Sequence, residues 1–167
     1  WPTKSKWFAK SSGTSNSKSK FIPITQESLL DCHFKGGKDM LTLYCHNFPE
    51  TQIYSGKSIT MGGSFENTKK DGDLSAIILD QLPNWVTSHQ TPSKEIRLMN
   101  DFEKKIDLMA EVTVKENVTN ISGVPSWTLI LFQKILKNTG AKNMHEIWPN
   151  LEVYMHGGIN FSPYKSQ

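Results

Sequence analysis

Two short apolar runs, Trp7-Phe8-Ala9 and Phe21-Ile22-Pro23-Ile24, bracket a stretch made almost entirely of small hydroxyl residues, lysines and one glycine. Aromatic and β-branched runs of this kind read as strands. The unit constrains the fold strongly, because both runs favour a sheet while the segment between them favours solvent. Gly13 lets the backbone take conformations closed to other residues. Successive N–H groups in such a turn form an anion-binding nest. The hydroxyls of Ser11, Ser12, Thr14 and Ser15 add donors, and Lys18 or Lys20 supplies charge for a phosphate. A Ser/Gly/Lys-rich stretch is also the composition of a flexible linker, but the aromatic, β-prone flanks argue against that reading.

Beyond the loop, strand and helix signals alternate. Thr25 is placed to cap a helix, with Glu27 favourable in its first turn and Gly36-Gly37 as a possible break. Lys57 to Met61 reads as a strand ending at Gly62-Gly63, and Ser64 to Gly72 as a surface loop. A helix from Asp73 to Leu79 is expected to be closed by Pro83. Asn100 with Glu103 resembles a capping box, and Phe102, Ile106, Met109 and Val112 follow on one helical face. Val118 to Ile121 reads as a strand, Pro125 as the first residue of a helix running to Gly140, and Asn143 with Glu146 as a short helical turn. Leu151 to Met155 alternates as a strand leading to His156-Gly157-Gly158. This alternation predicts an α/β fold, a mostly parallel sheet with flanking helices. Ligands in such sheets sit beyond the carboxyl ends of strands, where the hydroxyl loop and the Gly157-Gly158 pair both fall.

The 167 residues are one domain's worth, and 37% hydrophobic with 21% charged residues fits a soluble globular chain. The net charge of +3 is unevenly spread. Five of the 19 basic residues precede the first acid, Glu27; the other fourteen face 16 acids, leaving that remainder at −2. Positive charge therefore gathers around the hydroxyl loop, unlike the extended basic face of a nucleic-acid binder. Neither a signal peptide nor an apolar membrane span is evident, so a cytoplasmic setting is expected, with no membrane partner.

Three other patterns fail on their chemistry. Gly56-Lys57-Ser58 mimics the end of a Walker motif, but Thr51 stands where the upstream glycine is required. Cys32-His33 and Cys45-His46 have no zinc-ligand spacing. Ser11 and Ser12 lack the Gly-x-Ser-x-Gly elbow of a hydrolase nucleophile. Gly157 and Gly158 either let a ligand approach the backbone closely or simply turn the chain after a strand. His156 can hydrogen-bond a carboxylate or an adenine, or serve a structural role. The two Asn-x-Ser/Thr sequons at Asn117 and Asn120 are chance matches in a cytoplasmic chain.

With Phe8-Ala9-Lys10 leading in, Ser11-Ser12-Gly13-Thr14-Ser15 and Lys20 resemble the phosphate loop of the adenylate-forming superfamily, which includes acyl-CoA synthetases, adenylation domains and luciferases. The chain resembles most the auxin-responsive promoter (Gretchen Hagen) family of acyl-acid amido synthetases, particularly its bacterial branch. His33-Phe34-Lys35-Gly36-Gly37-Lys38-Asp39, Ser122-Gly123-Val124-Pro125-Ser126-Trp127 and Trp148-Pro149-Asn150-Leu151-Glu152 extend the likeness over nearly the whole sequence. Ser17 departs from the glycine that plant members tend to carry, which stiffens the loop.

The resemblance implies that residues 1–167 are part of the large N-terminal ATP- and acyl-acid-binding domain of a longer enzyme, with its phosphate loop at 11–20. A fragment of this kind is expected to be inactive alone. An aromatic/Ser/Glu motif is expected soon after Gln167, and an Asp for the ribose and a mobile C-terminal domain farther on. The implied activity uses ATP and Mg2+ to activate a small carboxylic acid as its adenylate, then forms an amide with an amine or amino acid. Ser11, Ser12, Gly13, Thr14, Ser15 and Lys20 would hold phosphates, and Gly157 and Gly158 would line the adenylate. Val124, Ser126 and Trp127 would border the acid, with His156 near it; Trp127 fits a core position equally well. An acyl-CoA ligase of the same superfamily and a non-catalytic anion-binding relative remain alternatives.

Overall fold

A computed structural model of the chain describes residues 4–11, 19–66, 68, 70–157 and 160–165. In chain order it contains strands β1 (Trp7–Lys10) and β2 (Phe21–Ile24), then a π-helical segment (Ser28–Phe34) running into helix α1 (Lys35–Asn47). Strands β3 (Lys57–Met61) and β4 (Asp71–Gly72) follow, then helices α2 (Leu74–Asp80), α3 (Asn84–Thr87), α4 (Lys94–Arg97) and α5 (Phe102–Thr113). The remainder is strand β5 (Val118–Gly123), helix α6 (Pro125–Thr139) and strand β6 (Val153–His156), with 3-10 turns at Met144–Glu146 and Ser162–Tyr164. The strands form two three-stranded sheets, β2-β1-β4 and β3-β5-β6. Among the described residues β1 and β2 pair antiparallel, while β1–β4, β3–β5 and β5–β6 are parallel. The chain divides into two compact units, Trp1–Thr51 with Gly63–Leu82, and Gln52–Gly62 with Pro83–Gln167.

In the first unit, alternation along β1 buries Trp7 and Ala9 and leaves Phe8 on the opposite face. Trp7, Ala9, Ile24, Leu29 and Ile77 form its apolar cluster, with Phe34, Phe65, Leu74 and Ile78 packed on it. The two-residue strand β4 has little apolar character of its own. It is held because the Phe8 N–H donates to the Lys70 carbonyl at 2.7 Å and Ala9 pairs with Gly72. Thr25 caps the following helix as expected: its hydroxyl accepts the Ser28 N–H at 3.1 Å, and the Ser28 hydroxyl accepts the Thr25 N–H at 3.2 Å. The helix continues through Gly36 and Gly37 into α1 instead of breaking there. Glycine weakens a helix by about 1 kcal/mol but does not forbid it.

In the second unit β5 is the central strand, and its first four residues are all buried, as parallel strands covered on both faces are. Helix α5 buries Ile106, Met109, Ala110 and Thr113, a single stripe at helical spacing. Its cap is Asp101, whose carboxylate accepts the Lys104 N–H at 3.0 Å, one residue beyond the Asn100 start read from the sequence. Helix α6 opens with Pro125 in its first turn and ends where Gly140 turns left-handed at φ 71°. Its buried face, with Leu131 and Ile135, joins Ile59, Met61, Val118 and Ile121 of the sheet in one cluster. Trp148 is fully buried there, and its indole N–H donates to the Thr113 carbonyl at 2.9 Å.

Helix α2 stops at Asp80, and Pro83 stands immediately before α3, so the proline starts the next turn. No helix among the described residues is long and apolar enough to cross a membrane. Trp148→Ala removes the largest buried side chain and leaves the Thr113 carbonyl without this donor. A stability loss of about 3–5 kcal/mol is expected, read from urea unfolding midpoints.

Candidate active site

Two groups of the predicted residues are described, one in each unit. In the first, the β1–β2 ladder ends at the pair Lys10 and Phe21. One rung farther, the Ser11 N–H donates to the Lys20 carbonyl at 2.9 Å, and the Ser11 hydroxyl accepts the Lys20 N–H at 3.1 Å. Ser11 and Lys20 therefore face each other across the base of the predicted phosphate loop. The Ser11 hydroxyl keeps the capacity to donate its own proton, and the Lys20 side chain is exposed. Lys10 differs from Lys20 in being ion-paired with Glu66. Ser12, Gly13, Thr14 and Ser15 lie outside the described residues.

In the second unit, β5 and β6 are parallel neighbours in which Gly123 pairs with His156. Their carboxyl ends therefore bring Val124, Ser126 and Trp127 to the same sheet edge as His156 and Gly157. Gly123 has φ 150°, and a Cβ there would lie 2.5 Å from the Met61 Cβ, so only glycine suits the end of this central strand. Val124 has extended backbone angles and its carbonyl accepts N–H groups from Trp127 and Thr128, each at 3.1 Å. The amino end of a fifteen-residue helix thus opens at this edge, where its dipole favours an anion. Trp127 is half-buried: it packs on the core cluster and meets the Phe102 ring at 5.7 Å. It serves the core while standing in the first turn of α6.

His156 is exposed and stacks on Phe161 with ring centroids 4.6 Å apart and planes 23° apart. Tyr154, two residues earlier on the same strand face, lies 5.7 Å from His156 and 6.0 Å from Phe161. The Tyr154 hydroxyl donates to the Gly123 carbonyl at 2.9 Å, tying β6 to the end of β5. Burial raises the Tyr154 pKa above its ordinary value, a hydrogen bond with Thr128 opposes that shift, and Tyr164 adds to it. Gly157 is exposed with open space where a Cβ would stand, so the fold does not require glycine there. Gly158 lies outside the described residues. Neither Tyr154 nor Phe161 carries a site signal in the sequence. The alternation of β6 places Tyr154 beside His156, but nothing in the sequence pattern signals the return of Phe161.

Two outcomes follow. Gly157→Ala is expected to change stability by less than about 0.5 kcal/mol in urea unfolding, so an effect of this substitution on ligand binding would be local. Because the folded pKa of Tyr154 lies above its unfolded value, the folded state holds the proton more tightly. Stability is expected to fall as pH rises through the region above about pH 10. Tyr154→Phe should flatten part of that decline in unfolding midpoints measured from pH 9 to 11, taken as about one unit either side of the tyrosine value.

The family model described as GH3 family N-terminal domain matches residues 1–167. Among solved structures, the fold is similar to that of "AtGH3.15 acyl acid amido synthetase in complex with 2,4-DB", with a TM-score of 0.60 at 20% sequence identity. That match covers 80% of this chain and 24% of the other, so the chain spans about a quarter of that protein's length. No curated protein matches the chain. With the family model covering the whole sequence, from the Ser11–Lys20 loop to the end of β6 and beyond, the chain belongs to the GH3 family.

Proposed function

We propose that this chain is the ATP- and acid-binding part of a ligase that activates a carboxylic acid and joins it to an amine, typically an amino acid. The carrying observation is the family match over residues 1–167. Supporting it are the closed base of the Ser11–Lys20 loop and the convergence of Val124, Ser126, Trp127, His156 and Gly157 at one sheet edge.

In the first step a carboxylate oxygen attacks the α-phosphorus of ATP, the bond to the β-phosphate breaks, and pyrophosphate leaves with its electron pair. In the second, the amine nitrogen attacks the acyl carbon, AMP leaves and the nitrogen loses a proton. Charge builds on the departing phosphates in the first step. Donors from Ser11, Ser12, Gly13, Thr14 and Ser15, with the Lys20 ammonium, would stabilise it without a side-chain nucleophile. Gly157 and Gly158 give the adenylate close access to backbone. Val124, Ser126 and Trp127 flank the acid, whose carboxylate is favoured by the amino end of α6. Among the described residues no group of three or more His, Cys, Asp or Glu side chains is placed to hold a metal. Mg2+ would arrive on the nucleotide and would supply neutralisation of phosphate charge.

The test is acid-dependent exchange of pyrophosphate into ATP by the full-length polypeptide containing this chain, across a panel of carboxylic acids. Exchange with at least one acid, reduced about a hundredfold by Lys20→Ala, is the expected result. Failure to bind ATP would sink the proposal. Transfer of the acyl group to CoA in preference to amines would keep adenylation and replace the amide-forming step with thioester formation.

A further inference from the structure

The ring cluster at the end of β6 has no part in the scheme above beyond His156 itself. Tyr154 is fixed at one end by its hydrogen bond to the Gly123 carbonyl of the central strand. Phe161 is fixed at the other by a tight turn: the Asn160 side-chain oxygen accepts the Ser162 N–H at 3.0 Å, and the Phe161 carbonyl accepts the Tyr164 N–H at 2.9 Å. The His156 imidazole lies against both rings, stacked on Phe161 and tilted 34° to Tyr154. An exposed histidine on an edge strand would otherwise sample several rotamers. Offset contact between rings favours one arrangement over those alternatives.

We infer that Phe161 is a positioning residue: by stacking on His156 it fixes the plane of the imidazole, and so the direction of its ring nitrogens, at the edge where Gly157 and the start of α6 meet. The functional consequence rests on the proposed acid activation. There a histidine held in one orientation presents its hydrogen bond to the bound acid or adenylate without a cost in ordering on each cycle.

The test uses the full-length polypeptide labelled with 13C-histidine, with the His156 ring resonances assigned by their loss in His156→Gln. Phe161→Leu removes the ring while keeping an apolar side chain; Phe161→Tyr retains the ring. The His156 resonances are expected to move downfield in Phe161→Leu, as the shielding of the stacked ring is lost, and to stay near wild-type positions in Phe161→Tyr. In pyrophosphate exchange, kcat/KM should fall about threefold to tenfold in Phe161→Leu, the equivalent of one aromatic pair. It should recover in Phe161→Tyr. Resonances unchanged in Phe161→Leu would overturn the stacking, whatever the activity. Shifted resonances with exchange unchanged would overturn the positioning role. Should the wild-type protein show no exchange with any acid, adenylation fails; the orientation of His156 is then decided by the resonances alone.

Discussion

A central parallel strand has to be paired on both edges and covered on both faces, and β5 is the strand on which the second unit depends. Val118 to Ile121 are all buried, and β5 alone carries both β3 and β6. Its apolar residues supply the floor on which α5 and α6 pack. Its last residue is Gly123, and the chain can turn into α6 there only because glycine has no side chain to collide with Met61. The Tyr154 hydroxyl returns to the same glycine from β6. The core thereby fixes the edge at which the candidate acid-binding residues meet. Substitutions that disturb β5 would reach the site through its framework, without touching any residue that contacts a ligand.

The first unit works on a smaller scale. Its cluster is built on Trp7, Ala9, Ile24, Leu29 and Ile77, and the antiparallel pair β1–β2 presents the predicted phosphate loop from the end of a ladder. Because Ser11 and Lys20 bond to each other, the loop begins and ends on one rung. Binding a polyphosphate there would not have to supply the closing of the loop.

The sequence is most legible where a residue can do only one thing. Pro125 and Gly140 mark the ends of α6 because one lacks an N–H and the other adopts a left-handed backbone cheaply. Trp7-Phe8-Ala9 is an apolar, β-prone run, so β1 can be read directly, and the family the sequence resembles is the family to which the chain belongs. Strand β4 is not legible, since Asp71 and Gly72 carry no strand signal and owe their state to the backbone of β1. Asn100 and Asp101 are both good capping residues, so the sequence alone does not choose between them; the carboxylate that accepts the Lys104 N–H is that of Asp101. Phe161 could not be paired with His156 from sequence spacing alone, because the stack depends on how the chain returns through the turn at Ser162–Tyr164.

The two units interleave along the polypeptide, and this has a consequence for the order in which the molecule can be assembled. The β1–β2 hairpin is local and can form soon after it is made. Its parallel partner β4, however, comes after β3, which belongs to the other unit. β3 in turn must wait for β5, beginning at Val118, before its one strand pairing within that sheet exists. Parallel contacts between such distant segments are slow to form, because the intervening chain must be closed first. A growing chain therefore cannot finish one unit and then begin the next. Until β5 is available β3 has the bridge from Ser58 to Gln90 along one edge, and during that interval its other edge is open to association with other chains.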